Sequence, residues 1–296
     1  MSITAIILTY NEEIHLSRCL SGLNKFCNEI IIIDSFSNDK TLEIAKSYNA
    51  KIFQHTWVNY SNQFNWGLAN SYPTSQWILR IDADEYLTND LIHEIKDKLL
   101  DLPSEVTGIV FKRRHIFLKR WIKNGVYPIK LLRLFRYKKG ICEQRWMDEH
   151  IQLNEGTFIE FEHDFVDHNL NNLTWWSKKH IDYTIREAID LLDIELGLLD
   201  CDVSNLQLNS QAANKRKKKM KYAKQPLFWR TFAYFIYRYI FKFGFLEGME
   251  GFLWHFLQGW WYRTLVDAKI YEIKKACGTD KEKIKAYLKK EYSIEI

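Results

Sequence analysis

Two short phosphate-binding motifs are missing from this chain of 296 residues. No G-x-G-x-x-G follows the first apolar run, and no G-x-x-x-x-G-K-[ST] occurs anywhere, so the dinucleotide and P-loop readings lose their signatures. Cysteine is sparse: Cys19, Cys27, Cys142, Cys201 and Cys277 are scattered, with no C-x-x-C pair. That spacing excludes a disulfide framework and a zinc knuckle and points to a reducing compartment. Low-complexity tracts are absent, which argues against disorder. The first residues are already strand-like, without the basic segment and cleavage site of a signal peptide. The most apolar run, 226–243, is broken by Arg230, Arg238 and Lys242. A span needs about 20 predominantly apolar residues, so insertion across a bilayer is disfavoured.

What is present is a regular alternation. Residues 3–8, 30–33, 51–55 and 77–81 read as apolar strands, separated by helical segments near 14–23, 40–48 and 63–70. Strands joined by helices of this length imply right-handed β-α-β units and an α/β sheet with helices on both faces. Ligands in such sheets sit beyond the carboxyl ends of the strands. Three polar clusters fall there: Thr9, Tyr10, Asn11 and Glu12; Asp34, Ser35 and Asp39; and Asp82, Ala83 and Asp84.

The third cluster is the most informative. Asp82 and Asp84 stand two apart after a buried strand, and in extended backbone residues two apart point to the same side. Two adjacent carboxylates repel unless a cation separates them. Mg²⁺ is held by one or two carboxylates together with substrate phosphates, which suits this pair. The bland alternative is a solvated acidic turn.

Taken together, residues 6–13, Leu16, Arg18, Cys19 and Leu20, residues 31–41, and residues 77–85 resemble the family 2 glycosyltransferases, whose fold is the GT-A nucleotide-diphospho-sugar transferase fold, a Rossmann-like mixed sheet. A narrower similarity, to bacterial lipopolysaccharide-core β-1,4-glucosyltransferases, rests on Asp34 to Ser37 with Asp39 and Thr41, on Arg133, Leu134, Phe135 and Arg136, and on Glu149 with His150; Asp148 departs from it. The resemblance implies that Thr9, Tyr10, Asn11 and Glu12 floor the nucleotide-sugar site, that Asp34 accepts from a uracil N–H, and that Ser35, Asp39, Arg80 and Ala83 line it. Asp82 would face the ribose or the metal, and Asp84 would ligate Mg²⁺ or Mn²⁺. Asp34 and Asp39 also have a structural reading as helix caps, with Asp39 the better candidate.

Further along, residues 108–112 and 130–136 read as strands of an acceptor half. Glu149, with Asp148 second, is the candidate general base for an acceptor hydroxyl; the alternative is that one of them caps or pairs with Arg145. His168, at the end of the strand-like run 157–168, is a candidate third metal ligand, His163 a weaker one, and a structural histidine is the alternative for both.

The last third differs in character. A helix is expected over 174–192. Lys215, Arg216, Lys217, Lys218, Lys219, Lys221 and Lys224 crowd the following linker, although the whole chain carries a formal charge of only +5. On a helix, Arg230, Tyr234, Arg238 and Lys242 form one stripe, while Phe232, Phe235, Ile236, Tyr239 and Phe243 lie opposite. A basic stripe beside an aromatic face describes an amphipathic helix in an anionic headgroup layer, or one packed on a partner. The expected organisation is thus a catalytic domain over 1–200, with a nucleotide-sugar half (1–100) and an acceptor half (101–200), a basic linker over 201–225, and a membrane- or partner-associating helical region over 226–296.

The resulting expectation is an inverting, metal-dependent hexosyltransferase. It would use a UDP-sugar donor and a lipid-linked or glycolipid acceptor, be cytoplasmic and attach peripherally to the inner face of the cell membrane, with homo-oligomerisation left open. A polyprenyl-phosphate sugar synthase is the alternative within the class. A basic nucleic-acid-binding or membrane-surface protein without catalysis is the alternative outside it, though no RNP, KH or finger motif supports nucleic acid as a partner.

Overall fold

The computed structural model describes residues 2–145, 147, 149–198 and 210–296. Asp148 and the first part of the expected linker therefore lie outside the described residues. Two compact units are present, one reaching to Leu170 and one formed from Asn171 onward apart from the start of the lysine-rich helix. The helix that the sequence grouped with the catalytic half thus belongs with the C-terminal helices.

The first unit opens as the alternation predicts. β1 (Ile3–Thr9), α1 (Leu16–Leu23), β2 (Glu29–Asp34), α2 (Thr41–Ser47), β3 (Lys51–Gln54), α3 (Tyr60–Asn70) and β4 (Trp77–Arg80) follow one another. β3, β2, β1 and β4 lie side by side and parallel. Beyond them come β5 (Glu85–Leu87), α4 (Asn89–Lys98), β6 (Val106–Phe117), β7 (Arg120–Trp121), β8 (Ile129–Arg136), β9 (Gly140–Cys142), β10 (Ile151–Leu153) and β11 (Thr157–His168). The sheet order is β3-β2-β1-β4-β8-β6-β11-β5, with β7 paired to β6. β8 runs antiparallel to β4 and β6, and β5 antiparallel to β11, so the sheet is mixed rather than purely parallel.

Period-two alternation sends side chains to two cores. Ile3, Ala5 and Ile7 of β1 face Leu16 and Leu20 of α1, Ala45 of α2, and Leu91 and Ile95 of α4. Ile6, Ile31 and Ile33 face Phe64 of α3 and the β9–β10 ribbon through Cys142, Ile151 and Leu153. Gly67 lets α3 approach: a Cβ there would lie 2.7 Å from Ile33 Cγ1.

The β6–β11 pairing is interrupted between Glu160 and Asp164. A bulge leaves ladder N–H groups without their regular partners. The Glu94 carboxylate of α4 takes them over, accepting from the backbone N–H of Glu162 (3.0 Å) and of His163 (3.0 Å). His163 Nδ1 lies 2.8 Å from the same carboxylate, so the histidine joins the clasp that Glu94 makes across the bulge.

The second unit is helical. α5 (Leu173–Leu196) begins on Asn172, whose side chain accepts from Trp175 N, and ends on Gly197 at φ +64°. α6 (Ser210–Ala223), α7 (Trp229–Ile236), α8 (Gly248–Trp254), α9 (Tyr262–Cys277) and α10 (Lys281–Tyr292) follow, with π-helical turns at Tyr237–Phe241 and His255–Trp261. α5 packs against α9, and α9 against α10. Much of the expected linker is therefore helix α6, and Lys219 on it is paired with Glu187 (2.9 Å) and Asp190 (2.7 Å) of α5.

Against the upward push of burial, hydrogen bonds from Lys98, Glu162 and His163 hold the Glu94 carboxyl at about 2, below its ordinary 4.5. A depressed value means that the clasp is complete above about pH 4.5 and is lost as pH falls toward 2. Glu94→Gln should lower the unfolding free energy at pH 7 by about 1–3 kcal/mol, with the gap to wild type closing below pH 4, as read by urea titration across pH.

Candidate active site

The loops after β1 and β2 are tied to each other. Thr9 and Asp34 are register partners at the ends of the two strands, and Thr9 Oγ1 donates to Asp34 Oδ1 at 2.9 Å. Asp34 is fully buried and also accepts from the Ser37 backbone N–H (2.8 Å), the Ser37 hydroxyl and Gln54 Nε2 (3.3 Å). The expected acceptor for a base N–H is thus occupied by the chain's own donors. Asn11, in the left-handed region at φ +55°, donates its N–H to Ser37 Oγ, and its side-chain oxygen accepts from the Asn38 N–H. The Glu12 N–H donates to Thr41 Oγ1, and its carboxylate meets His15 Nδ1 at 2.6 Å. Ser35 Oγ accepts from Gln63 of α3. Asp39 accepts from the N–H groups of Glu13 and Thr41, the local capping role that was its alternative reading. Although burial opposes it, these bonds hold Asp39 below the usual carboxylate range. Tyr10 is exposed at the rim.

The paired aspartates do not continue the strand. β4 ends at Arg80, and the Glu85 N–H donates to the Asp82 carbonyl, closing a turn over buried Ala83. The expectation that Asp82 and Asp84 project side by side from extended backbone is corrected accordingly. Asp82 accepts from the Tyr60 hydroxyl and lies 3.4 Å from Arg133 Nη2, whereas Asp84 Oδ2 accepts from Asn169 Nδ2 at 2.9 Å. Burial pushes the Asp82 carboxyl up, but Arg133 and Arg80 outweigh it and hold it below its ordinary value.

Sequence reasoning missed the residues that neutralise this corner. Arg133 of β8 donates to Glu85 Oε1 at 2.6 Å, and Glu85 Oε2 accepts the Asp82 N–H. Burial drives the Glu85 carboxyl well up, with Asp82, Asp167 and Asp84 adding to it against Arg133. Asp167 is held low, since His115 and Arg113 overcome its burial. Tyr60 starts α3 and Arg133 stands in the strand expected over 130–136; no local spacing marks either as a partner of Asp82.

Arg80 makes the connection to the acceptor half. Its Nε donates to the Tyr60 hydroxyl (3.0 Å), its Nη1 to the Glu149 carbonyl (3.3 Å), and its Nη2 lies 3.6 Å from Glu149 Oε1. Arg145 Nη1 lies 3.8 Å from Glu143 Oε1.

His168 has a different task from the expected one. Its Nδ1 lies 3.2 Å from Arg18 Nη1, and Arg18 Nη2 donates to the carbonyls of both Asp84 and His168. An arginine only donates, so Nδ1 is the acceptor in this contact. Burial, then the Arg18 charge, lowers the His168 pKa and keeps the ring neutral. Among the described residues no group of three His, Cys, Asp or Glu side chains could hold a metal ion. Asp82 is engaged with Tyr60 and Arg133, whereas Asp84 Oδ2 meets the neutral amide of Asn169, so the two carboxylates have different neighbours.

A family model, glycosyl transferase family 2, matches residues 4–158, which takes in the strands from β1 to β10, both loop clusters and the paired aspartates. The chain belongs to glycosyl transferase family 2. Among other members, the lipopolysaccharide core biosynthesis glycosyltransferase LpsC of Rhizobium meliloti is 31% identical over 146 residues, covering 47% of this chain and 53% of that protein. An uncharacterized glycosyltransferase of Rickettsia typhi is 36% identical over 94 residues, 32% of each chain. The matches thus span between a third and about half of these relatives' length. The fold is that of S. aureus TarS residues 1–349, solved in complex with UDP-GlcNAc, at a TM-score of 0.50 and 13% identity over 98% of this chain and 92% of that one.

In this family 2 member, Arg133 meets buried Glu85 and half-buried Asp82 at once. Arg133→Met should cost roughly 3 kcal/mol in urea unfolding, because it removes the cation that both carboxyl groups share. Adding Glu85→Gln should recover part of that loss, and strict additivity would contradict the coupling.

Proposed function

We propose that this protein transfers a hexose from a UDP-sugar, with inversion, to a hydroxyl group of a lipid-linked or lipopolysaccharide acceptor at the cytosolic face of the membrane. The observation that carries the reading is the run of contacts from Glu149 through Arg80 and Tyr60 to Asp82. It brings a carboxylate from the acceptor half beside the carboxylate that ends the donor half. LpsC's role in lipopolysaccharide core synthesis supports the acceptor class, and membership of family 2 supports the reaction.

Each residue then has a task. Tyr10 and Asn11 floor the nucleotide, with Thr9, Glu12, Ser35 and Asp39 holding that floor in shape. Asp34 serves mainly by fixing Thr9 and Ser37; a uracil N–H would displace Gln54, its longest contact at 3.3 Å. Asp84, with Asp82 turned from its present partners, would hold Mg²⁺ or Mn²⁺, which would neutralise charge on the diphosphate. Glu149 accepts the acceptor's hydroxyl proton as its oxygen bonds to C1 from the face opposite the nucleotide. The C1–O bond to the diphosphate breaks, and UDP leaves with the electron pair. Arg80 holds Glu149 in position through its carbonyl and carboxylate, and with Arg133 it supplies positive charge at the strand end.

Glu149→Gln should lower kcat by about 10²–10⁴ with little change in KM for the UDP-sugar, followed by UDP release. Unchanged turnover would instead favour a phosphate acceptor, as in a polyprenyl-phosphate sugar synthase, which needs no base. Asp84→Asn should raise the Mn²⁺ concentration giving half-maximal rate at least tenfold, while His168→Asn should leave that concentration unchanged. Thermal shift with UDP-hexoses, with and without Mn²⁺, tests the donor class: stabilisation confined to the metal-containing samples is expected, and indifference to every nucleotide sugar overturns the reading.

A further inference from the structure

The basic stripe expected on the helix after α6 is divided. Arg230 and Arg238 are each 5% exposed, whereas Lys242 is exposed. Arg230 Nε donates to Asp267 Oδ1 of α9 at 2.9 Å, the Phe228 N–H donates to the other oxygen of the same carboxylate, and Arg238 Nη1 donates to Gln258 Oε1 at 2.6 Å. Arg238 lies over the Tyr234 ring, and Arg263 stacks on both Tyr222 and Tyr234. With the cations paired inside, the opposite face presents rings to the exterior: Trp229 is 73% exposed, Phe241 67% and Phe243 57%, with Tyr237, Leu246 and Met249 exposed around them. The face is continuous, since ring contacts run from Phe232 through Trp260, Phe256, Phe252, Tyr239 and Phe245 to Phe243. An exposed apolar patch of this kind marks an interaction site.

Its charge selects the occupant. Residues 203–246 hold ten lysines and arginines and no aspartate or glutamate. Lys217, Lys218 and Lys221 of α6, Lys224 just after it and Lys242 within the aromatic face are exposed. No helix among the described residues is long and apolar enough to cross a membrane. A second copy of the same face would bring like charges together, whereas an anionic bilayer complements them.

We propose that the exposed face of α7, of the π-helical turn after it and of the start of α8 seats the protein in the interfacial layer of an anionic bilayer, its rings among the acyl chains and its lysines at the phosphates. The proposal deepens the reading of a membrane-borne acceptor and rests on it for its biological sense. The burial of Arg230 and Arg238 is what makes it work: the helix surface that would otherwise carry charge into the bilayer is committed to Asp267 and Gln258.

The test is flotation of the full chain with vesicles of phosphatidylcholine alone or mixed with phosphatidylglycerol at seven to three. Wild type should float with the mixed vesicles and several-fold less with neutral ones. The double variant Trp229→Glu/Phe241→Glu should lose at least tenfold in vesicle binding while keeping its melting temperature and its thermal shift with UDP-sugar and Mn²⁺. Lys217→Glu/Lys218→Glu should weaken binding to mixed vesicles only. Absence of flotation, equal flotation of the Trp229/Phe241 variant, or conversion of a wild-type dimer to monomer by that variant would overturn the proposal. Flotation and nucleotide-sugar stabilisation are read separately, so wild type that floats but responds to no UDP-sugar would refute the transferase reading and leave the docking face standing.

Discussion

Carboxylates buried at a sheet edge must find counter-charge or give up their ionisation. In this protein both occur: two arginines hold Asp82 ionised from opposite sides, while burial pushes Glu85 up to about 8 in spite of Arg133. Arg133 arrives on β8, antiparallel to β4, and spans Asp82 and Glu85; Arg80 ends β4 itself and reaches Tyr60 and Glu149. The mixed strand order has a chemical reason in this light, because inserting β8 beside β4 is what delivers Arg133 to the turn. The site is accordingly assembled from α3, β4, β8 and the segment before β10, and none of these could form the corner alone.

The parallel half of the fold was legible because each strand is a short apolar run ending in a polar cluster, and because β-α-β crossovers dictate strand direction. The antiparallel insertion was less visible: β5, β9 and β10 are three residues each, too short to show a period, and direction there depends on loops without a signature. Asp82, Asp84 and Glu149 could be picked out by chemistry and resemblance. Their partners could not, since Tyr60, Arg133, Arg18 and Asn169 reach them only through tertiary proximity. Extended geometry was the wrong assumption for Asp82 to Asp84, where a turn bonded to Glu85 sends the two side chains to different neighbours.

The C-terminal helices show the same limit in another form. A period of four correctly placed Arg230, Tyr234 and Arg238 on one stripe. Periodicity is silent on which stripe faces in, and the usual assumption that charge faces out failed because Asp267 stands 37 residues away in the chain. A buried guanidinium is costly unless paired, and here the pairing partner decided the orientation of the whole face.

The reciprocal bonds between the segments after β1 and β2 have a thermodynamic corollary. With Asn11 and Asn38, Glu13 and Asp39, and Glu12 and Thr41 already locked together, that rim is assembled before any ligand arrives. Contact energy gained there is not consumed in ordering loose chain, so a weakly held ligand can dock and depart without a folding step. A rigid rim of this kind suits repeated turnover better than tight retention.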